Sequence, residues 1–264
     1  MASLDLRRIL ADWEHESSQI SVRKIVGDDG TIKIQMRLDL GVLQMELAGR
    51  PDGKKPHGCE SLLAHHEKRL ARHIQKNGTE LGFELTVEEC AALREEAVQY
   101  YHRYLAEFVL EDFEAVESDT ARNLRVLDLY RNHAHDESDQ FTLEQHRPYL
   151  VMMNARSKAH QALRRGAFKM AQVQVKAALQ TIHEFYVSVG QEEAYEDSSE
   201  VSILQALARE IRARVPTDPL ERLEAELQRA VEEERYEDAV VLRDRLAAMQ
   251  EQANAVPVRK RKTG

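Results

Sequence analysis

Two short apolar stripes near the C-terminus constrain the fold of this chain more than any other feature. Leucine and alanine recur at three- and four-residue steps through residues 220–230, and a second stripe occupies residues 236–249. Between them the polar residues 233–235 interrupt the pattern. Two short helices with such stripes pack against each other as an antiparallel hairpin, and Ala230 and Ala239 allow a close approach near the turn.

The predicted hairpin is too small to be well ordered alone. Asp218 is placed to cap the first helix and Pro219 to begin it. Two short helices bury little apolar surface, and the segment has no disulfide or metal to compensate. The pattern therefore predicts association with a second copy or with another protein.

The segment resembles the UVR motif, which is found at the end of UvrB and within UvrC, the bacterial excision-repair subunits. Departures from the family pattern are mild: Leu227 stands where Met is common, Val240 where a second Ala is usual, and Leu246 where Ile is usual. The matching positions are Leu223-Glu224, Leu227, Ala230, Tyr236-Glu237, Ala239 and Leu242-Arg243-Asp244.

The resemblance implies a protein-binding module and no catalysis. In the repair proteins the motif joins one subunit to another, and similar motifs occur in McsA-like activators and ClpC-type chaperones. We expect Arg243 to pair with Glu224, with Glu237 or with an acid on the partner. The predicted partner-binding residues are Leu223, Leu227, Tyr236, Ala239, Leu242, Arg243 and Leu246.

The chain lacks the helicase motifs of UvrB, the nuclease domains of UvrC and the zinc-binding cysteine pairs of McsA. It also resembles uncharacterised bacterial proteins in which a β-meander precedes a UVR motif, a likeness that supplies no function.

The N-terminal part has the pattern of a small sheet. Residues 22–26 lead into the turn signal 27–30, after which apolar and polar residues alternate from Ile32 to Leu40. The phase shifts after Gly41, so a third strand follows. The sequence predicts a three-stranded antiparallel meander that needs helices to cover its apolar face.

Helical patterns dominate from residue 60 onward. The spacing Gly166-x-Phe168-x-x-Ala171 resembles half of a tetratricopeptide (TPR) unit, and an ordinary helical hairpin is the alternative. The predicted fold class is α+β and predominantly α: a small antiparallel β-meander packed on helices, then helical hairpins and a C-terminal antiparallel helical hairpin. The predicted divisions are 1–135 (meander plus helices), 141–190 (TPR-like hairpin), 191–218 (acidic linker and short helix), 219–251 (UVR hairpin) and 252–264 (basic disordered tail).

Charge and composition narrow the function classes. A net charge of -9 argues against general affinity for nucleic acid, so any such binding should be weak and confined to residues 259–262 or to Lys54-Lys55. No apolar run reaches the ~18 residues that a membrane span needs. The two cysteines, Cys59 and Cys90, form no metal-binding or disulfide pattern. We expect a cytoplasmic protein.

No catalytic, cofactor or metal site is predicted. The loop 49–55 has the wrong spacing for a Walker motif, and His133-x-His135-Asp136 reads as a solvated loop rather than a metal site. The acidic run Glu107, Glu111, Asp112 and Glu114 is expected on a solvated helix face. Two hypotheses remain: a non-catalytic adaptor, or an enzyme or ligand-binding N-terminal domain that uses the hairpin only to dimerise. A deep pocket with convergent polar groups would favour the second.

Overall fold

The computed structural model of the chain describes residues 5–14, 16–135, 143–215 and 219–255. The strands are β1 (Val22–Val26), β2 (Ile32–Leu38) and β3 (Gly41–Glu46). The helices are α1 (Arg7–Leu10), α2 (Leu62–Asn77), α3 (Val87–Val109), α4 (Phe113–His133), α5 (Arg147–Arg164), α6 (Phe168–Ser188), α7 (Ser199–Arg214), α8 (Pro219–Glu232) and α9 (Tyr236–Ala255). The predicted fold class, α+β and predominantly α, is confirmed.

The three strands form the predicted antiparallel meander in the order β1-β2-β3. Ile34, Met36 and Met45 are buried on one face and pack against Ala106 of α3. Leu40 was expected to continue β2, but it lies in the turn before β3 and is 93% exposed. The alternation ends early because the chain must reverse there.

Helices α2 to α7 pack largely in sequence order around a single apolar core. Each helix contacts the next along the chain from α2 to α7, and α5 also contacts α7. This core runs from Leu63 in α2 to Ile211 in α7. The segment 191–218, expected as an acidic linker and a short helix, contains the 3-10 helix Glu192–Tyr195 and then α7, which buries Val201 and Leu204 in the common core.

The sequence has apolar residues at helical spacing from Leu93 to Phe113, a pattern that predicts one long helix, but the structure divides it between two helices. Helix α3 ends at Val109, and Glu111 adopts a left-handed conformation with φ of 57°. The Glu111 and Asp112 amides donate to the carbonyls of Phe108 and Glu107, which closes α3 with a Schellman motif. Phe113 therefore begins α4 instead of ending α3.

A cluster of charged side chains is buried between α3, α4 and the end of the sheet. Arg103 donates from Nε and Nη2 to the two carboxylate oxygens of Asp119, each at 2.7 Å. Its Nη1 donates to the carbonyl oxygens of Glu46 at 3.0 Å and Gly49 at 2.8 Å. One guanidinium therefore joins two helices to the end of β3.

A second buried pair lies beside the first. Glu96 is bonded to Arg122 and also accepts the backbone amide of Leu62 at 2.8 Å, which fixes the start of α2. Both guanidiniums contact the Tyr100 ring, with that of Arg122 at 4.1 Å and that of Arg103 at 4.8 Å from the ring centre. The cluster thus forms a continuous polar layer inside an otherwise apolar packing.

The expectation that Glu107 lies on a solvated helix face is wrong. Glu107 is 1% exposed, its Oε1 is 3.5 Å from Arg103 Nε, and its Oε2 has no hydrogen-bond partner among the residues that the structure describes. Burial, with the nearby Asp119 carboxylate as a second cause, raises the pKa of Glu107 to about 8. Because both Asp119 oxygens are bonded to Arg103, Glu107 is the carboxyl that holds a proton at neutral pH.

We expect the contribution of Glu107 to the free energy of unfolding to fall as pH rises from about 5 to about 8, opposite in sign to that of His66, whose pKa burial lowers to about 4. The native state then holds a proton on Glu107 that the unfolded chain, with an ordinary glutamate pKa of 4.5, has already lost. The slope from this one group should approach about 1 kcal/mol per pH unit. In urea denaturation between pH 5 and 8, the stability of wild type relative to Glu107→Gln should fall as pH rises, with the exposed Glu114→Gln as control. Parallel profiles for Glu107→Gln and wild type would contradict this assignment.

Candidate partner-binding hairpin

The predicted C-terminal hairpin consists of α8 and α9, whose principal contacts are with each other. Helix α8 begins at Pro219, as predicted, while the proposed cap Asp218 lies outside the described residues. Helix α9 extends to Ala255, beyond residue 251 where the sequence places its end, and the rest of the basic tail also lies outside the described residues. The hairpin residues do not belong to the apolar core of α2 to α7.

A Schellman motif makes the turn between the two helices. The Glu234 amide donates to the Val231 carbonyl at 3.1 Å, and the Arg235 amide to the Ala230 carbonyl at 2.8 Å. Glu234 has a φ of 57°, a left-handed conformation that costs a non-glycine residue roughly 1 kcal/mol. Three residues therefore suffice to reverse the chain.

The turn between α5 and α6 has the same construction. Gly166, with a φ of 65°, takes the place of Glu234, and the Ala167 amide donates to the Ala162 carbonyl at 2.8 Å. In both hairpins an aromatic residue then begins the second helix, and a buried alanine follows three residues later. The Gly166-x-Phe168-x-x-Ala171 spacing therefore recurs in the C-terminal turn as Glu234-x-Tyr236-x-x-Ala239.

The predicted binding residues divide between two faces of the hairpin. Ala239 is buried, as is Ala230 opposite it, so the helices approach closely near the turn. The leucines of the predicted stripe are half-buried, because each is covered by the other helix on one side only. These inner-face residues are Leu223, Leu227, Leu242 and Leu246.

Tyr236 and Arg243 lie on a different face of α9. Tyr236, Val240 and Arg243 follow one another at steps of four and three residues, which places them on one side of a helix. Tyr236 is 64% exposed, and Val240 and Arg243 are exposed as well. We call Tyr236, Val240 and Arg243 the outer face of α9. It combines an aromatic ring, an aliphatic side chain and a guanidinium, all accessible.

The expected ion pairs of Arg243 are not formed. Its Nε and Nη2 donate to Oδ1 of the adjacent Asp244 at 3.1 and 2.9 Å, rather than to Glu224 or Glu237. An ion pair between adjacent exposed residues contributes little to stability. Arg243 therefore stays accessible to a carboxylate on a partner.

The sequence pattern predicts a solvated Arg229, because it lies off the apolar stripe of α8, but this residue connects the hairpin to the rest of the chain. Its Nη2 donates to the Gly166 carbonyl at 3.2 Å, and the side chain is half-buried. This contact places the start of the C-terminal turn beside the α5–α6 turn. The sequence gives no sign of it, because the two residues are far apart in the chain.

The other candidate sites behave as ordinary structural elements. No cluster of metal-ligating side chains occurs among the described residues. His133 ends α4 and is buried, His135 bonds through Nδ1 to Glu84 at 3.0 Å, and Asp136 lies outside the described residues. In the loop 49–55, Lys54 is exposed and Arg50 is held by Asp52 at 3.1 Å. The expectation that His133 lies in a solvated loop is wrong, because it is the last residue of α4 and is buried.

The geometry defines the C-terminal segment as an antiparallel two-helix hairpin with an accessible outer face. Residues 217–252 match the family model described as UvrB/uvrC motif, so the chain carries a C-terminal UVR motif, as predicted. No curated protein and no solved structure matches the chain. Within the part of the chain that is described, no helix is long and apolar enough to cross a membrane.

Proposed function

We propose that this protein is a non-catalytic adaptor that binds another protein through its UVR hairpin. The observation that carries the proposal is the outer face of α9, where Tyr236, Val240 and Arg243 are accessible together. Tyr and Arg are the residue types that most often dominate protein interfaces. The half-buried leucines of the inner face supply further apolar area that a partner covers.

The proposed partner is a protein rather than nucleic acid. The net charge of -9 opposes the counterion release that drives binding to DNA or RNA. A second copy of this chain and another UVR-containing protein both present a hairpin of suitable shape. Excision repair is the pathway we propose first, because the motif joins subunits there, and protein quality control second.

Removal of the hairpin should abolish partner binding and leave the rest of the chain folded. The apolar core ends at Ile211, so residues 1–216 contain all of it. We expect residues 1–216 to melt cooperatively, and to lose both self-association in analytical ultracentrifugation and the partner that the full chain captures.

The outcomes test whether the hairpin is the interface, and the kind of partner separates the two hypotheses. Loss of a different captured protein with a preserved melting transition supports the adaptor, whereas loss of self-association alone fits equally an N-terminal domain that uses the hairpin only to dimerise. Association that persists unchanged in residues 1–216 would place the interface in the N-terminal part and contradict the proposal.

A further inference from the structure

A cavity of about 490 Å³ lies where the end of α8 meets the α5–α6 turn. The hairpin contributes Arg229 of α8 and Glu233, which follows that helix. The rest of the lining comes from the helices of the apolar core, with Glu117 on α4, Lys158 on α5 and Lys169 on α6. A molecule in this cavity therefore contacts the hairpin and the core helices together.

The lining of the cavity is basic although the chain is acidic. Four basic and two acidic side chains line it, which leaves an excess of two positive charges. The chain as a whole has a net charge of -9. The charged residues of the lining are Lys158, Arg165, Lys169, Arg229, Glu117 and Glu233. Such a local excess of one sign attracts small anions.

Both carboxylates of the lining already have partners in the protein. Glu117 Oε2 accepts a hydrogen bond from Gln161 Nε2 at 2.7 Å, and its Oε1 is 3.8 Å from Lys158 Nζ. Glu233 Oε2 is 2.9 Å from Arg235 Nε, which lies outside the lining. The two acids are therefore occupied, and the excess positive charge stays with the other cations.

Two of these cations have no carboxylate partner within the described ranges. Lys169 is exposed at the start of α6, and the Nη2 of Arg229 donates to the neutral carbonyl of Gly166 at 3.2 Å. The first turn of α6 has no acidic residue, and no side chain of a described residue at its N-cap closes it. The backbone amides of a first helical turn have no partner within the helix and carry partial positive charge, which adds to that of Lys169.

We propose that this cavity binds a phosphate group, either as free phosphate or as part of a small phosphorylated molecule. A phosphate dianion neutralises the excess of two positive charges, which a single carboxylate does not. Arg229 supplies a planar donor from the hairpin and Lys169 a charge from the core helices, so the bound phosphate holds the hairpin against the α5–α6 turn. The site does not depend on the proposed partner binding, because the outer face of α9 does not line the cavity.

Calorimetric titration of the full chain tests this site, at constant ionic strength and about pH 8, where phosphate is mainly a dianion. The three titrants are inorganic phosphate, ribose 5-phosphate and acetate. We expect saturable binding of phosphate near one ion per chain, at least tenfold tighter than that of acetate. Tighter binding of ribose 5-phosphate than of phosphate supports a phosphorylated molecule as the ligand, and weaker binding supports free phosphate.

The substitution Lys169→Gln should weaken phosphate binding about five- to tenfold and leave the fold intact, because this side chain is exposed. Arg229→Gln should do the same from the hairpin side. The matched control is Lys176→Gln, which removes an exposed cation two turns further along α6 that does not line the cavity. The proposal is overturned by absence of phosphate binding, by acetate that binds as tightly as phosphate, by an equal loss in Lys176→Gln, or by folded Lys169→Gln and Arg229→Gln variants that bind phosphate like wild type.

Discussion

Replacing Arg103 by methionine should lower the free energy of unfolding by about 3–5 kcal/mol. The side chain is 3% exposed and bonds to both oxygens of Asp119. Its loss would leave the Asp119 carboxylate buried without its partner and the carbonyls of Glu46 and Gly49 without their donor. Methionine fills much of the same volume, so the effect reports the missing charge and hydrogen bonds rather than a cavity.

The control for Arg103→Met is Arg164→Met. Arg164 pairs with Glu111 at 2.6 Å, but both side chains are at least half exposed, so its loss should cost less than about 1 kcal/mol. Urea denaturation of the two full-length variants at pH 7 measures the difference. Similar losses for the two variants would mean that the buried cluster does not stabilise the fold as described.

The Tyr236→Ala and Arg243→Ala substitutions should each weaken self-association or partner binding at least tenfold, which corresponds to ~1.4 kcal/mol. Both side chains lie on the outer face of α9 and neither closes the hairpin. Their removal therefore subtracts contacts with a partner while the inner leucines remain in place. Side chains of these two types commonly contribute ~2 kcal/mol or more at the centre of an interface.

The structure also gives matched controls for these two substitutions. Arg245 is exposed on α9 two residues after Arg243, which turns it away from the outer face. Gln250 is not a suitable control, because it lies seven residues after Arg243 and therefore on the same side of the helix. Val241 is 54% exposed and lies beside the outer face, so Val241→Ala is the control for an exposed apolar side chain. Arg229 is not a suitable control, because it bonds to Gly166.

Periodicity was enough to predict the sheet and the C-terminal hairpin. Alternation from Ile32 onward identifies the central strand of the meander. The expectation of a single buried face is wrong, because Lys33 and Gln35 on its polar face are buried as well and Ile32 and Leu38 are exposed. The paired stripes on either side of residues 233–235 identify the hairpin, because only a chain reversal brings both stripes together. The sheet and the hairpin could be predicted because each depends on patterns among residues that are close together in the sequence.

The buried charges could not be predicted in the same way. Glu107 and Arg103 look like surface residues on a helical pattern, since charged side chains are rarely buried unless they are paired. Their partners Asp119 and Glu46 come from a different helix and from the sheet. The contact of Arg229 with Gly166 likewise joins distant parts of the chain.

The sequence motif alone did not predict which residues of α9 form its inner face and which form its outer face. The UVR pattern includes Tyr236, Leu242 and Arg243 without indicating which of them close the hairpin. Only the packing of α8 against α9 separates the inner leucines from the outer Tyr236 and Arg243. Because Tyr236 and Arg243 do not close the hairpin, replacing them tests partner binding while the inner leucines keep the hairpin folded.

The most direct test of the account is the dissociation constant of the full chain carrying Tyr236→Ala or Arg243→Ala. Analytical ultracentrifugation measures it for self-association, and calorimetry for a captured protein partner. We predict at least a tenfold increase for each variant, no change for Arg245→Ala, and melting curves that match wild type. Wild-type binding by both folded variants would show that the outer face of the hairpin is not the interaction site and would contradict the proposed function.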